Sequence, residues 1–123
     1  MPLADQLGEL AVLRDEGKIR HIGISKVTAA QVEAAREITP IAAVQNKFNQ
    51  LEGDRGVLDY CTEQGLAFVP YAPLGAGTLA RGGGATGAIT WLLSQSPAVL
   101  PIPGTTSIDH LHSNLAAVTR RSE

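Results

Sequence analysis

The chain has 123 residues, 44% of them hydrophobic, with 12 acidic and 10 basic side chains and a formal net charge of −2. No basic excess suits it to nucleic acid or an anionic membrane surface, no apolar run nears the ~20 residues of a membrane span, and Met1-Pro2-Leu3 opens no charged-then-apolar leader. A cytoplasmic chain with no nucleic-acid or membrane partner is therefore expected. The one cysteine, Cys61, excludes an internal disulfide and sits beside Val57 and Leu58 in a helical pattern that suits a buried small hydrophobe.

In chain order, Leu3, Leu7, Leu10 and Leu13 recur at helical spacing with Asp5 and Glu9 on the polar side, and Gly17 supplies a left-handed stop. Ile19 to Ser25 alternates and then turns apolar, which predicts a strand. Thr28 with Gln31 three residues on predicts a capping box for a helix through Val32, Ala35 and Ile38, closed by Pro40. Ile41 to Phe48 predicts a second strand, and a helix from about Asp54 to Gln64 follows, with Val57, Leu58 and Cys61 inward and Gly65 at its end. Leu66 to Val69 predicts the third strand. Gly75, Gly77 and the Arg81-Gly82-Gly83-Gly84 run predict a flexible loop before a short helix holding Ile89, Trp91 and Leu92. Val99 to Ile102 predicts a fourth strand, broken by Pro103-Gly104, and Ile108, Leu111, Leu115 and Val118 mark a last helix. Strands alternating with helices through short loops predict parallel βα units with right-handed crossovers.

Between the last strand and helix, Gly104, Thr105, Thr106 and Ser107 place small residues and hydroxyls at a helix N-terminus. Free N–H groups and the positive end of the helix dipole favour an anion there, most naturally a phosphate. The same residues also describe an ordinary capped helix, and both readings stay open.

The stretch LPIPGTTSIDHLHSNL, from Leu100 to Leu115, resembles the C-terminal end of the aldo-keto reductase family. GKIRHIGIS (Gly17 to Ser25), AVQNKFN (Ala43 to Asn49), LDYCTEQGLAFVPYAPLGAG (Leu58 to Gly77) and WLLSQSP (Trp91 to Pro97) resemble the same family in the same order. The resemblance covers only the later half of such a protein. It implies an α/β fold: a half TIM barrel of four parallel βα units, residues 1–123 forming a single half-barrel domain entered from the helix before the fifth barrel strand. The segment between Pro73 and Trp91 is shorter than the family usually has.

In a barrel of this kind functional residues sit at the C-terminal ends of strands. The resemblance implies that Ser25 and Gln45 hold the carboxamide of a nicotinamide cofactor and that Tyr71 stacks on its ring; Lys26 stands where asparagine is common. It places Leu74, Gly75 and Gly77 along the pyrophosphate, Gly104, Thr105, Thr106 and His110 around the 2′-phosphate of NADP(H), and Asn114 at the adenine. Physically, an amide ligand needs a donor and an acceptor, which Ser25 and Gln45 provide, and Tyr71 offers a flat face with a polar tip. Tyr71 is equally well read as a core aromatic, and the glycines as loop punctuation. Many members carry a lysine where Gly104 stands and an arginine where His110 stands, so the choice between NADP and NAD stays open. His21 opens a strand on the stability face, while His110 and His112, two apart on a helix, point in different directions. No metal-site or serine-hydrolase motif is present, and no metal is expected.

The family's catalytic Asp, Tyr, Lys and His come from its first four units, so the resemblance leaves the catalytic residues of this chain unknown. It implies an NADP(H)-binding oxidoreductase unit without its catalytic half. A non-redox reading stands beside it: a binding or structural half-barrel, or a cofactor-independent hydrolase using Ser25, Lys26, Tyr71 or a histidine. Four strands with two open parallel edges and an apolar strip favour association, and a homodimer closing the barrel is expected.

Overall fold

In the computed structural model, which describes residues 1–72 and 84–119, helices and strands alternate as α1 (Leu3–Asp15), β1 (Gly23–Ser25), α2 (Ala29–Ile38), β2 (Ala43–Lys47), α3 (Arg55–Gln64), β3 (Ala67–Tyr71), α4 (Gly84–Gln95) and α5 (Ile108–Thr119). Local chemistry sets most of the boundaries. Gly17, at φ +76°, turns the chain out of α1. Thr28 and Gln31 form the reciprocal capping box that starts α2. The Asp54 carboxylate accepts the Gly56 N–H at 2.8 Å to cap α3, and Gly65 ends that helix in the left-handed conformation.

The strands form a parallel sheet in the order β1-β2-β3. One face is closed by helices: Val32 of α2, Val57, Leu58 and Cys61 of α3 and Leu92 of α4 pack on Val44 and Phe68. Phe48 joins this core, edge-on to Phe68 at 5.7 Å and stacked on Trp91 at 5.9 Å. A second cluster, Leu7, Ile22, Ala35 and Ile41, fastens α1 against α2 and the entry to β1 and β2. Each large aliphatic side chain buried this way contributes roughly 1.5–3 kcal/mol.

The expected fourth strand is reduced to a single parallel bridge between Val99 and Phe68. The Phe68 N–H donates to the Ala98 carbonyl at 2.9 Å and the Leu100 N–H to the Phe68 carbonyl at 2.8 Å. The next rung requires an N–H from residue 70, which is proline, so the ladder stops there. Gly84, expected in a flexible loop, instead opens α4; Gly75, Gly77 and residues 81–83 lie outside the described residues. The last helix forms where its pattern predicts but buries little. Ala117 packs on Ile89 and Leu93 of α4, whereas Ile108, Leu111, Leu115 and Val118 are 47% to 72% exposed. No helix among the described residues is long and apolar enough to cross a membrane.

Candidate functional site

Strand register decides which side chains meet. Ser25 lies opposite Gln45, Gln45 opposite Val69, and Lys47 opposite Tyr71. Successive residues of a strand face opposite sides, and Val44 and Phe68 point into the helix-covered core. Ser25, Gln45, Val69 and Tyr71 therefore share the other face, which the described helices leave open. Parallel sheets are normally covered on both faces, so this side has room for a ligand or for further structure. Three of the residues singled out from the sequence, Ser25, Gln45 and Tyr71, come together here at the C-terminal ends of adjacent strands.

The Ser25 hydroxyl donates to the Gln45 carbonyl at 2.7 Å, and the Lys26 N–H donates to the same carbonyl at 3.1 Å. Ser25 is thus held by backbone, with lone pairs left to accept. No histidine or carboxylate contacts it among the described residues. The Gln45 and Tyr71 side chains are half-buried, as a surface that must meet a ligand requires. Beside Tyr71, the Lys47 Nζ lies 2.7 Å from the Glu52 carboxylate. The Glu52 hydrogen bond and charge hold the lysine above its ordinary value, so its charge is locally balanced.

Two buried side chains with no role in the sequence reading shape the site from behind. Asn46 donates to the Val27 carbonyl at 2.7 Å and accepts the Val27 N–H at 3.1 Å. Asn49 donates to the Ala72 carbonyl at 3.0 Å and accepts the N–H groups of Leu51 and Glu52 at 2.8 and 3.1 Å. They fix the loops that follow β1 and β3. The available signal was compositional: asparagine is depleted in strands, and two in AVQNKFN suggest side chains bonded to backbone.

The second set of candidates follows Val99, and parallel pairing sends that segment to the same end of the sheet as Tyr71. Ser107 caps α5, accepting the His110 N–H on its hydroxyl at 3.3 Å, and Thr105 accepts the Ser107 N–H at 3.1 Å. These bonds fit the capped-helix reading. Gly104, Thr105, Thr106 and His110 are exposed, and Asn114 is half-buried one turn after His110.

The remaining candidates are remote from this end. His21 lines a hollow with Arg14, Arg20 and Pro40 at the N-terminal ends of the strands, where a barrel keeps stability rather than chemistry. Cys61 is buried in the core, and burial pushes its thiol up to about 11. It is not an activated nucleophile. Among the described residues, no three His, Cys, Asp or Glu side chains converge as metal ligands.

Comparison with known proteins supplies the lineage. The profile of the aldo/keto reductase family matches residues 1–87. This chain belongs to the aldo/keto reductase family.

An uncharacterised oxidoreductase of Schizosaccharomyces pombe is 39% identical over 131 residues, covering 95% of this chain and 43% of the relative. Pyridoxine 4-dehydrogenase of Escherichia coli is 41% identical over 121 residues, covering 88% of the chain and 42% of that enzyme. The chain thus spans less than half the length of these curated relatives. Among solved structures, a protein assigned as 2,5-diketo-D-gluconic acid reductase B superposes with a TM-score of 0.85 at 28% identity, over 94% of this chain and 46% of that one. The aldo-keto reductase from Klebsiella pneumoniae in complex with NADPH gives a TM-score of 0.81 at 24% identity, over 97% and 49%, and shares the fold. The architecture is that of half an aldo/keto reductase barrel. Of the aldo/keto reductase positions carried over from sequence, Leu74, Gly75 and Gly77 lie outside the described residues. Gly104 to Asn114 lie beyond the profile match.

Proposed function

We propose that this chain is the nicotinamide-binding half of an aldo/keto reductase-type, NADP(H)-dependent oxidoreductase. The observation that carries the reading is the convergence of Ser25, Gln45 and Tyr71 on the open face at the C-terminal ends of three adjacent parallel strands. Their chemistry fits the group: Gln45 offers an amide donor and acceptor, Ser25 an acceptor held by its bond to the Gln45 carbonyl, and Tyr71 an aromatic face. The bound cofactor supplies hydride, and these side chains orient it. In this reading the phosphate end falls to Gly104, Thr105, Thr106, His110 and Asn114, and the family likeness assigns the pyrophosphate to Leu74, Gly75 and Gly77. None of Ser25, Lys26 and Tyr71 has a histidine partner among the described residues, so no observation favours the hydrolase alternative.

Catalysis in this reading needs a proton donor from a complementary half, because a bound nicotinamide alone is a weak catalyst. The element count defines that complement. Among the described residues, five helices flank four strand positions, with α1 beyond β1 on one side and α5 beyond the Val99 segment on the other. A second copy of the chain, as expected from the sequence, or a separate complement of four strands would close the barrel.

Titration of the purified chain with NADPH, followed by nicotinamide fluorescence and calorimetry, tests the reading. Saturable binding weakened at least tenfold by Tyr71→Ala, about 1.4 kcal/mol or more, is expected. Absence of binding at millimolar NADPH refutes it.

A further inference from the structure

The strand ends on either side of β2 are built alike. Lys26, directly after Ser25, has φ +56°, and Ala72, directly after Tyr71, has φ +53°. Left-handed backbone is unfavourable for residues with a Cβ and persists only where the surroundings over-determine it. In both places the surroundings include a buried asparagine from β2 or its end. Asn46 is 8% exposed and Asn49 3%. Asn46 grips both backbone groups of Val27. Asn49 grips the Ala72 carbonyl with its amide nitrogen, while its oxygen takes the Leu51 and Glu52 N–H groups. Its own N–H donates to the Glu52 carbonyl at 2.8 Å, and the neighbouring Phe48 N–H donates to the Tyr71 carbonyl at 3.3 Å. Tyr71 is thus tied at its own carbonyl and at that of the next residue by two consecutive residues of one loop.

We propose that Asn49 is a positioning residue for Tyr71: by locking Ala72 in a left-handed turn, it sets the direction in which the tyrosine ring is presented to a planar nicotinamide. The inference rests on the cofactor reading above. Asn49 does not touch the ligand. It fixes the Ala72 carbonyl while the Phe48 N–H holds the Tyr71 carbonyl, so the ring need not be ordered at the moment of binding. Asn46 is the corresponding tie behind Ser25.

The test uses the whole 123-residue chain and two probes, NADPH and adenosine 2′,5′-bisphosphate, which lacks the nicotinamide. Asn49→Ala removes the tie, and Asn49→Asp removes only its amide donor to the Ala72 carbonyl while keeping the oxygen that accepts from Leu51 and Glu52. Both are expected to weaken NADPH roughly fivefold or more and to leave the bisphosphate unchanged, which separates positioning from folding. Ala72→Gly, which takes the left-handed turn without a Cβ penalty, is expected to bind NADPH as the unvaried chain does and to recover part of the loss when added to either Asn49 variant. In a Tyr71→Ala background neither Asn49 substitution should weaken NADPH further. If Tyr71→Ala weakens NADPH but neither Asn49 variant does, the positioning role is overturned and the cofactor reading stands. Equal loss of both probes, or full effects in the Tyr71→Ala background, overturns it too. If Tyr71→Ala has no effect, or the unvaried chain binds no NADPH, the cofactor reading falls and takes the role of Asn49 with it.

Discussion

Gly53→Ala is a sharp test of how the loop after β2 is packed. Gly53 has φ +141°, and a Cβ built there would stand 2.4 Å from Phe48 Cδ2, 2.9 Å from Cγ and 3.0 Å from the Phe48 Cα. The ring has no easy retreat, because it is buried, edge-on to Phe68 and stacked on Trp91. Backbone strain at such a φ costs about 1–3 kcal/mol and overpacking a filled core about 1–3 kcal/mol, together roughly 2–6 kcal/mol. Gly65 is the internal control: it has φ +70° but nothing within 4 Å of its would-be Cβ, so Gly65→Ala should cost only about 1–2 kcal/mol. Urea titrations followed by far-UV circular dichroism and by the fluorescence of Trp91, the one tryptophan, read both effects. Gly53→Ala should be the less stable by at least about 1 kcal/mol and should shift the native Trp91 emission, since Phe48 lies on that ring. If Gly53→Ala costs no more than Gly65→Ala, the packing of Phe48 described above is wrong.

Two further outcomes follow from other parts of the molecule. The Cys61 thiol is neutral when protonated, and its folded value is raised from 9.0 to about 11. The folded state therefore holds the proton more tightly, and stability present below pH 9 is lost as pH rises toward 11, on the order of 2 kcal/mol; urea midpoints should fall across that window for the unvaried chain and much less for Cys61→Ala, and equal slopes would sink the assignment. On α5, Leu111→Gln and Leu115→Gln change residues already 47% and 58% exposed, so stability should move by no more than about 0.5 kcal/mol while concentration-dependent light scattering falls; a loss above about 1 kcal/mol would mean that the stripe is covered.

Local chemistry made much of the fold legible. The Thr28–Gln31 capping box, the Asp54 cap and the glycine stops at Gly17 and Gly65 depend on neighbours within five residues, so they can be read from sequence and hold in the structure. Once Val44 and Phe68 are known to face the helices, a strand's period of two puts Gln45 and Tyr71 on the opposite face. The family could be recognised from the order of short motifs along the chain.

Tertiary structure alone decided the rest. The fourth strand looked sound as an apolar run, but a ladder needs donors from its neighbour, and the neighbour offers Pro70; that depends on which strand pairs with which. The last helix carries an amphipathic pattern, yet a pattern does not say what lies opposite it, and Ile108, Leu111, Leu115 and Val118 remain exposed. Asn46 and Asn49 read as polar residues at the end of a strand. Only folding brings Val27 and Ala72, 19 and 23 residues away, within reach of their amides. Sequence determined most of the elements and the family, since these follow from near neighbours and order. Structure decided which edges pair, which faces stay open and which loops are tied, since each depends on contacts between residues far apart in the chain.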